Sequence, residues 1–302
     1  MQKKFDSYLT KDKECGYITY QIYSDGSKKE RAPYKSYMTN MLFEELILEM
    51  KNRFPNAYYQ YFDGNGSELK EKGRKNEKTG EVSMMPPKMA SYGSSSLMTY
   101  LKFREIDGFI FEYKMDTTFS KRYPACLDGF LETENSYIFI ESKCREIYGE
   151  GNYPFKRSNS YFKLYNEYIS KIFKTDILKK DKEIFVKLEN SDGLKIEYFD
   201  ISQMVCHILG ICKFLENKTK TKKIKFLYFL FSPREHGIDD KEILQRYDST
   251  VKEIKSIDFK ELFSIIGDFL RKEKKINIDT GWDFSFELCH QNNILGEIKW
   301  KK

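Results

Sequence analysis

The sequence predicts a mixed α/β fold, and three observations predict it. Three strand-like segments follow one another at 109–115, 125–132 and 137–143. A helix with a continuous apolar stripe opens at Asp200, and a further strand-like segment occupies 224–231. Helix, three strands, helix, strand is the order that results, with additions at either end.

Each element has its own reason. Residues 36–54 place Met38, Met41, Leu42, Leu46, Ile47 and Met50 at helical spacing, which predicts an amphipathic helix. Gly64-Asn65-Gly66-Ser67 breaks the chain, and 68–87 is poor in apolar residues and rich in Lys, Glu and Gly, so it is expected to be mobile. Residues 109–115 are aromatic and β-branched, which suits a strand. Residues 125–132 and 137–143 flank the polar turn Thr133-Glu134-Asn135-Ser136. The helix from Asp200 to about Glu216 aligns Ile201, Met204, Val205, Ile208, Leu209, Cys212 and Leu215. After 224–231 come two helical segments, 241–255 and 259–272, and a short β-like stretch at 284–288. One domain is expected over 1–302: a helical addition over about 1–60, a core over about 60–235, and a largely helical extension over 236–302.

Composition excludes some classes and leaves others open. With 24 Phe and 22 Tyr in 302 residues, core material is plentiful, and charge of both signs is interspersed. No apolar run is long enough to span a bilayer, and the first residues lack a signal-peptide core, so a cytoplasmic protein is expected. A net charge of +6 permits nucleic-acid binding without requiring it. The six cysteines form no CxxC pair. Cys206, His207 and Cys212 also read as zinc ligands, but their helical setting and missing fourth partner favour buried core.

The chemistry concentrates on one hairpin. If the turn is centred between Glu134 and Asn135, facing residue numbers sum to 269. Asp128 then faces Glu141, Cys126 faces Lys143, and Phe130 faces Phe139, while Leu127, Leu131, Ile138 and Ile140 share the other side. Facing residues have Cβ atoms roughly 4.5–5.5 Å apart, close enough for two carboxylates to hold one divalent cation. Glu141 and Lys143, two apart on a strand, point the same way. Hard oxygen donors suit Mg²⁺ or Mn²⁺, and an ammonium beside them suits attack of water on a phosphodiester.

Asp128 with Glu141-Ser142-Lys143 resembles the D…(D/E)xK signature of the PD-(D/E)xK nuclease superfamily. Pro86-Pro87-Lys88-Met89-Ala90-Ser91, Ala125-Cys126-Leu127-Asp128, Ile140-Glu141-Ser142-Lys143 and Tyr198-Phe199-Asp200-Ile201-Ser202-Gln203 look, more narrowly, like a restriction-endonuclease-like group of bacterial proteins. The likeness covers about 60–235, and the Pro of the family motif stands displaced at Pro124. It implies a restriction-endonuclease-like αβββαβ core, with a mixed central sheet flanked by helices. It further implies an endonuclease that cuts double-stranded DNA with Mg²⁺ or Mn²⁺, type II restriction-like, leaving 5′-phosphates. Asp128 and Glu141 would hold the cation, Lys143 would assist the water, and Gln203 on the following helix would reach the site. Glu68, with Glu45 as its rival, would be the upstream acid, and Glu112 is a further candidate metal ligand.

Other readings stand beside these. Asp128-Gly129 is also a turn signal, Asp200-x-x-Gln203 is also a capping-box variant, and His207 also reads as a packed or rim histidine. Lys121, Arg122, Arg145, Lys156 and Arg157 flank the motif and suit phosphates. Within the same fold, a nuclease of RNA or of repair intermediates is the alternative. Beyond it stand a nucleic-acid-binding module that does not cut and a purely structural protein. A homodimer is the usual answer to palindromic sites.

Overall fold

The computed structural model describes residues 1–290 apart from 12, 64–67, 118–123, 150–154, 157–158, 181–182, 217, 220 and 280. For residues 2, 155–156, 159–160, 178–180 and 183–185 it describes the backbone alone. The chain forms two compact units, one of Met1–Glu112 with Ser142–Glu146, the other of Tyr113–Glu141 with the chain from Ile147 onward.

The first unit opens with α1 (Gln2–Leu9), then the short strands β1 (Cys15–Tyr17), β2 (Tyr20–Ile22), β3 (Lys28–Glu30) and β4 (Tyr34–Met38). Helices α2 (Asn40–Arg53) and α3 (Pro55–Asp63) follow, then β5 (Lys72–Lys75), β6 (Val82–Met85) and α4 (Ser95–Phe103). Where a helical addition is expected over 1–60, four strands stand among three helices. The helix expected from 36 begins only at Asn40, because Tyr34–Met38 pairs with β1 and Thr39 caps the helix, its side chain accepting the Leu42 N–H. Its buried residues are Phe43 and Met50, whereas Met41 lies exposed at 60%. The stretch expected to be mobile, 68–87, contains β5 and β6 in a four-stranded sheet of order β3-β2-β6-β5. The aromatic core of this unit gathers Tyr61, Tyr100 and Phe111.

The second unit is α/β, with a mixed sheet flanked by helices. β7 (Ile110–Met115) leads into it from the first unit, followed by β8 (Ala125–Glu132) and β9 (Ser136–Lys143). β10 (Phe155–Lys156), α5 (Asn159–Lys163), β11 (Lys174–Lys180), β12 (Glu183–Glu189) and β13 (Lys195–Ile196) come next. The chain continues with α6 (Ile201–Phe214), β14 (Lys223–Leu230), α7 (Lys241–Lys255), α8 (Phe259–Lys274) and β15 (Phe284–His290). The main sheet runs β15-β14-β9-β8-β7, while β10–β13 form a separate small sheet that the sequence did not announce.

The β8–β9 hairpin adopts the expected register: Gly129↔Ile140, Phe130↔Phe139, Leu131↔Ile138 and Glu132↔Tyr137. Thr133 N–H donates to the Ser136 carbonyl at 2.9 Å, closing the turn over Glu134 and Asn135. Every side chain of β9 is buried, as a strand with neighbours on both edges and both faces covered requires. On the α6 side, Phe214 packs edge-on against Phe130, Tyr137 and Phe139. Gly210 lets α6 approach closely: a Cβ there would lie 2.9 Å from Ala125 Cβ and 3.0 Å from Met115 Cβ. Ala125 and Phe130 both meet α6, although five positions separate them on a strand whose side chains alternate.

Candidate active site

Each motif residue is held by local chemistry. Ser142, the middle of Glu141-Ser142-Lys143, accepts a 2.7 Å hydrogen bond from the Thr99 hydroxyl of α4. Along β9 its neighbours Glu141 and Lys143 therefore share the opposite side. Glu141 is 2% and Lys143 9% exposed, unusual values for these residue types. The pairing with β8 ends at Gly129↔Ile140, one residue short of Asp128 and Glu141. Phe130 stands opposite Phe139 as expected, whereas the facing of Asp128 with Glu141 and of Cys126 with Lys143 falls beyond the paired stretch. Asp128 itself is half-buried on β8.

The neighbour that the second unit gives Glu141 is His207. Its Nε2 lies 3.2 Å from Glu141 Oε2, with both side chains 3% exposed. That separation is a hydrogen-bond length, yet neither His207 ring nitrogen makes a hydrogen bond among the described residues. Of the packed and rim readings of His207, the packed one holds: it is buried, against the ring of Phe226. Sequence gave one available signal for it: His207 follows Gln203 by four residues, on one helix face.

Gln203 is half-buried on the first turn of α6, and its N–H donates to Asp200 Oδ1 at 2.9 Å. The capping role of Asp200 is therefore realised. Upstream, Glu253 of α7 accepts the N–H groups of Tyr198 and Phe199, both at 2.8 Å, which ties down the chain entering α6. Arg246, also on α7, donates to the carbonyls of Ile147 and Gly149 and lies 3.5 Å from the Tyr198 ring centroid.

The upstream acids lie in the first unit with partners of their own. Glu68 is 6% exposed; Oε1 accepts from Lys88 Nζ at 3.2 Å, while Oε2 is buried without a hydrogen bond among the described residues. Glu112 accepts from Ser96 Oγ at 3.2 Å and adopts φ +52°, a left-handed conformation that costs a non-glycine residue roughly 1–2 kcal/mol. Glu45 is exposed on α2. Of the flanking cations, Arg145 faces Asp6 at 3.8 Å. Lys121, Arg122 and Arg157, and the side chain of Lys156, lie outside the described residues.

Among the described residues no three His, Cys, Asp or Glu side chains gather closely enough to hold a metal ion. Cys206 meets the Tyr161 hydroxyl at 3.1 Å and Cys212 is fully buried, so that segment is core rather than a zinc site. Burial pushes both thiols up. What the second unit offers a divalent cation is a carboxylate and an imidazole side by side. Those donor types fit such an ion, with water completing the shell.

No helix among the described residues is long and apolar enough to cross a membrane. Compared with known proteins, the chain matches no family model and has no significant match among curated proteins or solved structures.

Proposed function

We propose that the chain is a metal-dependent endonuclease of the PD-(D/E)xK type, built on a restriction-endonuclease-like core and acting on DNA. One observation carries the reading: an acid and a lysine two apart at the end of a central strand, both more than nine-tenths buried. Acids and lysines are seldom buried to this degree, and buried ionisable groups gathered on one strand are characteristic of reactive sites. A bound Mg²⁺ or Mn²⁺ would neutralise charge on the scissile phosphate and lower the pKa of the attacking water.

The rest falls to the chain's own residues. Glu141, with Asp128 on the neighbouring strand, supplies carboxylates for the cation. Lys143 holds the water and offsets negative charge as its oxygen bonds to phosphorus. The bond from phosphorus to the leaving oxygen breaks, and a proton goes to that oxygen, giving a phosphate monoester and a hydroxyl. Gln203 stands four residues before His207 on the helix that meets Glu141 and supports the site from there. A nucleic-acid substrate is supported by the exposed Lys28 and Lys29 of β3 and Lys72, Arg74 and Lys75 of β5.

A second reading, a module that binds nucleic acid without cutting, draws on the end of the β8–β9 pairing at Gly129, before Asp128 is reached. Plasmid cleavage in Mg²⁺ or Mn²⁺, with a chelator control, separates the two. Metal-dependent cutting that falls by about a hundredfold or more in Lys143→Ala, at unchanged far-UV circular dichroism, is the expected outcome. Cutting that survives Lys143→Ala sinks the assignment. Binding without cutting by the unmodified protein, across DNA and RNA substrates, establishes the module.

A further inference from the structure

Glu141 and His207 meet in the interior without bonding to each other as acid and imidazole ordinarily do. Their closest atoms are 3.2 Å apart, yet His207 has no hydrogen bond at either nitrogen among the described residues and is 2% exposed. Buried polar atoms are nearly always satisfied by protein, water or an ion, so an imidazole with neither nitrogen hydrogen-bonded among the described residues marks a place where one of these belongs. The spacing says which. Two donors about 2.1 Å from one cation are about 3.0 Å apart in octahedral geometry and about 3.4 Å in tetrahedral geometry. The observed separation lies between these values.

We infer that Glu141 and His207 are cis ligands of one divalent cation, and that the imidazole tunes the site toward transition metals such as Co²⁺ or Mn²⁺ over Mg²⁺. The inference rests on the proposed function only in taking Glu141 as a metal ligand. It adds a nitrogen donor that Asp128 and Glu141 alone do not provide. Carboxylate and water suit Mg²⁺, whereas an imidazole brings affinity that Mg²⁺ gains little from and Co²⁺ gains much from. His207 is placed for this by α6: Gly210, one turn on, allows the helix to lie against Ala125 and Met115, and Phe214 seats its end on the aromatic side of the hairpin.

The test measures metal binding directly. The full chain is titrated with CoCl₂, MnCl₂ and MgCl₂ by calorimetry, and nitrogen hyperfine coupling is recorded on bound Mn²⁺. The chain has only three histidines, so a nitrogen signal is readily assigned by substitution. The unmodified protein is expected to bind one Co²⁺ and to show nitrogen coupling on Mn²⁺. His207→Gln should lose the coupling and bind Co²⁺ about tenfold to a hundredfold more weakly, with Mg²⁺ affinity changed far less. Glu141→Gln should weaken all three metals. Absence of nitrogen coupling on metal bound to the unmodified protein overturns the inference, as does an unchanged Co²⁺-to-Mg²⁺ preference in both His207→Gln and His207→Asn. Failure to bind any of the metals overturns it too.

Cleavage is scored separately, so the two ideas fail separately. Nitrogen-ligated metal without phosphodiester cleavage keeps the site and removes the nuclease. Metal-dependent cleavage with the same metal preference in His207→Gln keeps the nuclease and removes the ligand.

Discussion

Glu253 shows how much one side chain can determine. Its carboxylate is 3% exposed and accepts two backbone N–H groups from the chain that enters α6. Burial raises its pKa above 4.5; the N–H groups of Phe199 and Tyr198 pull it back only in part. A carboxyl whose folded pKa is raised favours the protonated form in the fold. Its contribution to stability is therefore fully present below pH 4.5 and is lost as pH rises through the folded value. Glu253→Gln retains an acceptor and removes that titration. Relative to Glu253→Gln, the wild-type chain is expected to lose stability as pH climbs from 4 and then to run parallel, measured by urea midpoints across pH 4–7. A wild-type midpoint that rises relative to Glu253→Gln as pH climbs would show that the carboxylate is favoured. Glu253→Ala leaves two buried donors without a partner and should cost about 1–3 kcal/mol for each at any pH. Residues of this kind are hard to read from sequence, because their partner lies 54 or 55 positions away. The Phe130↔Phe139 register was legible because alternation and turn length are local. His207 could be noted in sequence, but its meeting with Glu141, which is not local, could not.

At the scale of elements, the first unit's four-stranded sheet carries an aligned polar row. Arg74 pairs with Ser83, Ser83 with Gln21, and Gln21 with Lys29, so the row runs across β5, β6, β2 and β3 with a cation at each end. The centre is locked, Ser83 Oγ donating to Gln21 Oε1 at 2.7 Å. Lysines on edge strands also prevent edge-to-edge association, so the charge alone does not identify a nucleic-acid surface. Salt dependence separates the two roles. If Arg74 and Lys29 each neutralise a phosphate, the slope of log K against log salt for duplex DNA should fall in magnitude by roughly 2 in Lys29→Glu with Arg74→Glu, read by fluorescence anisotropy. An unchanged slope assigns them to edge protection. This sheet was hidden from the sequence reading for a physical reason. β5 is exposed on both faces, so it has no apolar alternation, and its strand conformation is imposed by β6. Residues 36–38 were misread as helix because Met38 continues the apolar spacing of α2, although its backbone belongs to the ladder with β1. α6, by contrast, announced itself through its unbroken apolar stripe and its Asp200 cap.

For the molecule as a whole, the C-terminal part decides where the core ends. The sequence reading closed the core near residue 235 and treated the rest as an extension. The sheet continues past that point, because β15 pairs in parallel with β14 over seven residues, from Ile224↔Phe284 to Leu230↔His290. A parallel neighbour requires a crossover, and α7 and α8 supply it. Phe284 stacks on Phe263 at 4.4 Å and Phe286 on Phe259 at 3.6 Å, so α8 and β15 bury each other. Parallel partners in a sheet are seldom visible in sequence: the strands carry no hairpin between them, and here 53 residues lie between the last of β14 and the first of β15. If β15 is integral, Phe284→Ala should destabilise the second unit by about 3–5 kcal/mol, since the vacated volume sits between strand and helix. Ending the chain before Phe284 should do more. It would leave the edge of β14 unpaired and uncover Phe259 and Phe263, and aggregation is the expected fate of such an edge. Urea unfolding followed by tyrosine and tryptophan fluorescence measures the first, and size-exclusion chromatography the second. A truncated chain that stays monodisperse and unfolds at the wild-type midpoint would make β15 an ornament on a sheet complete at β14. A collapse of both readouts makes α7, α8 and β15 part of the scaffold on which Glu141 and His207 meet.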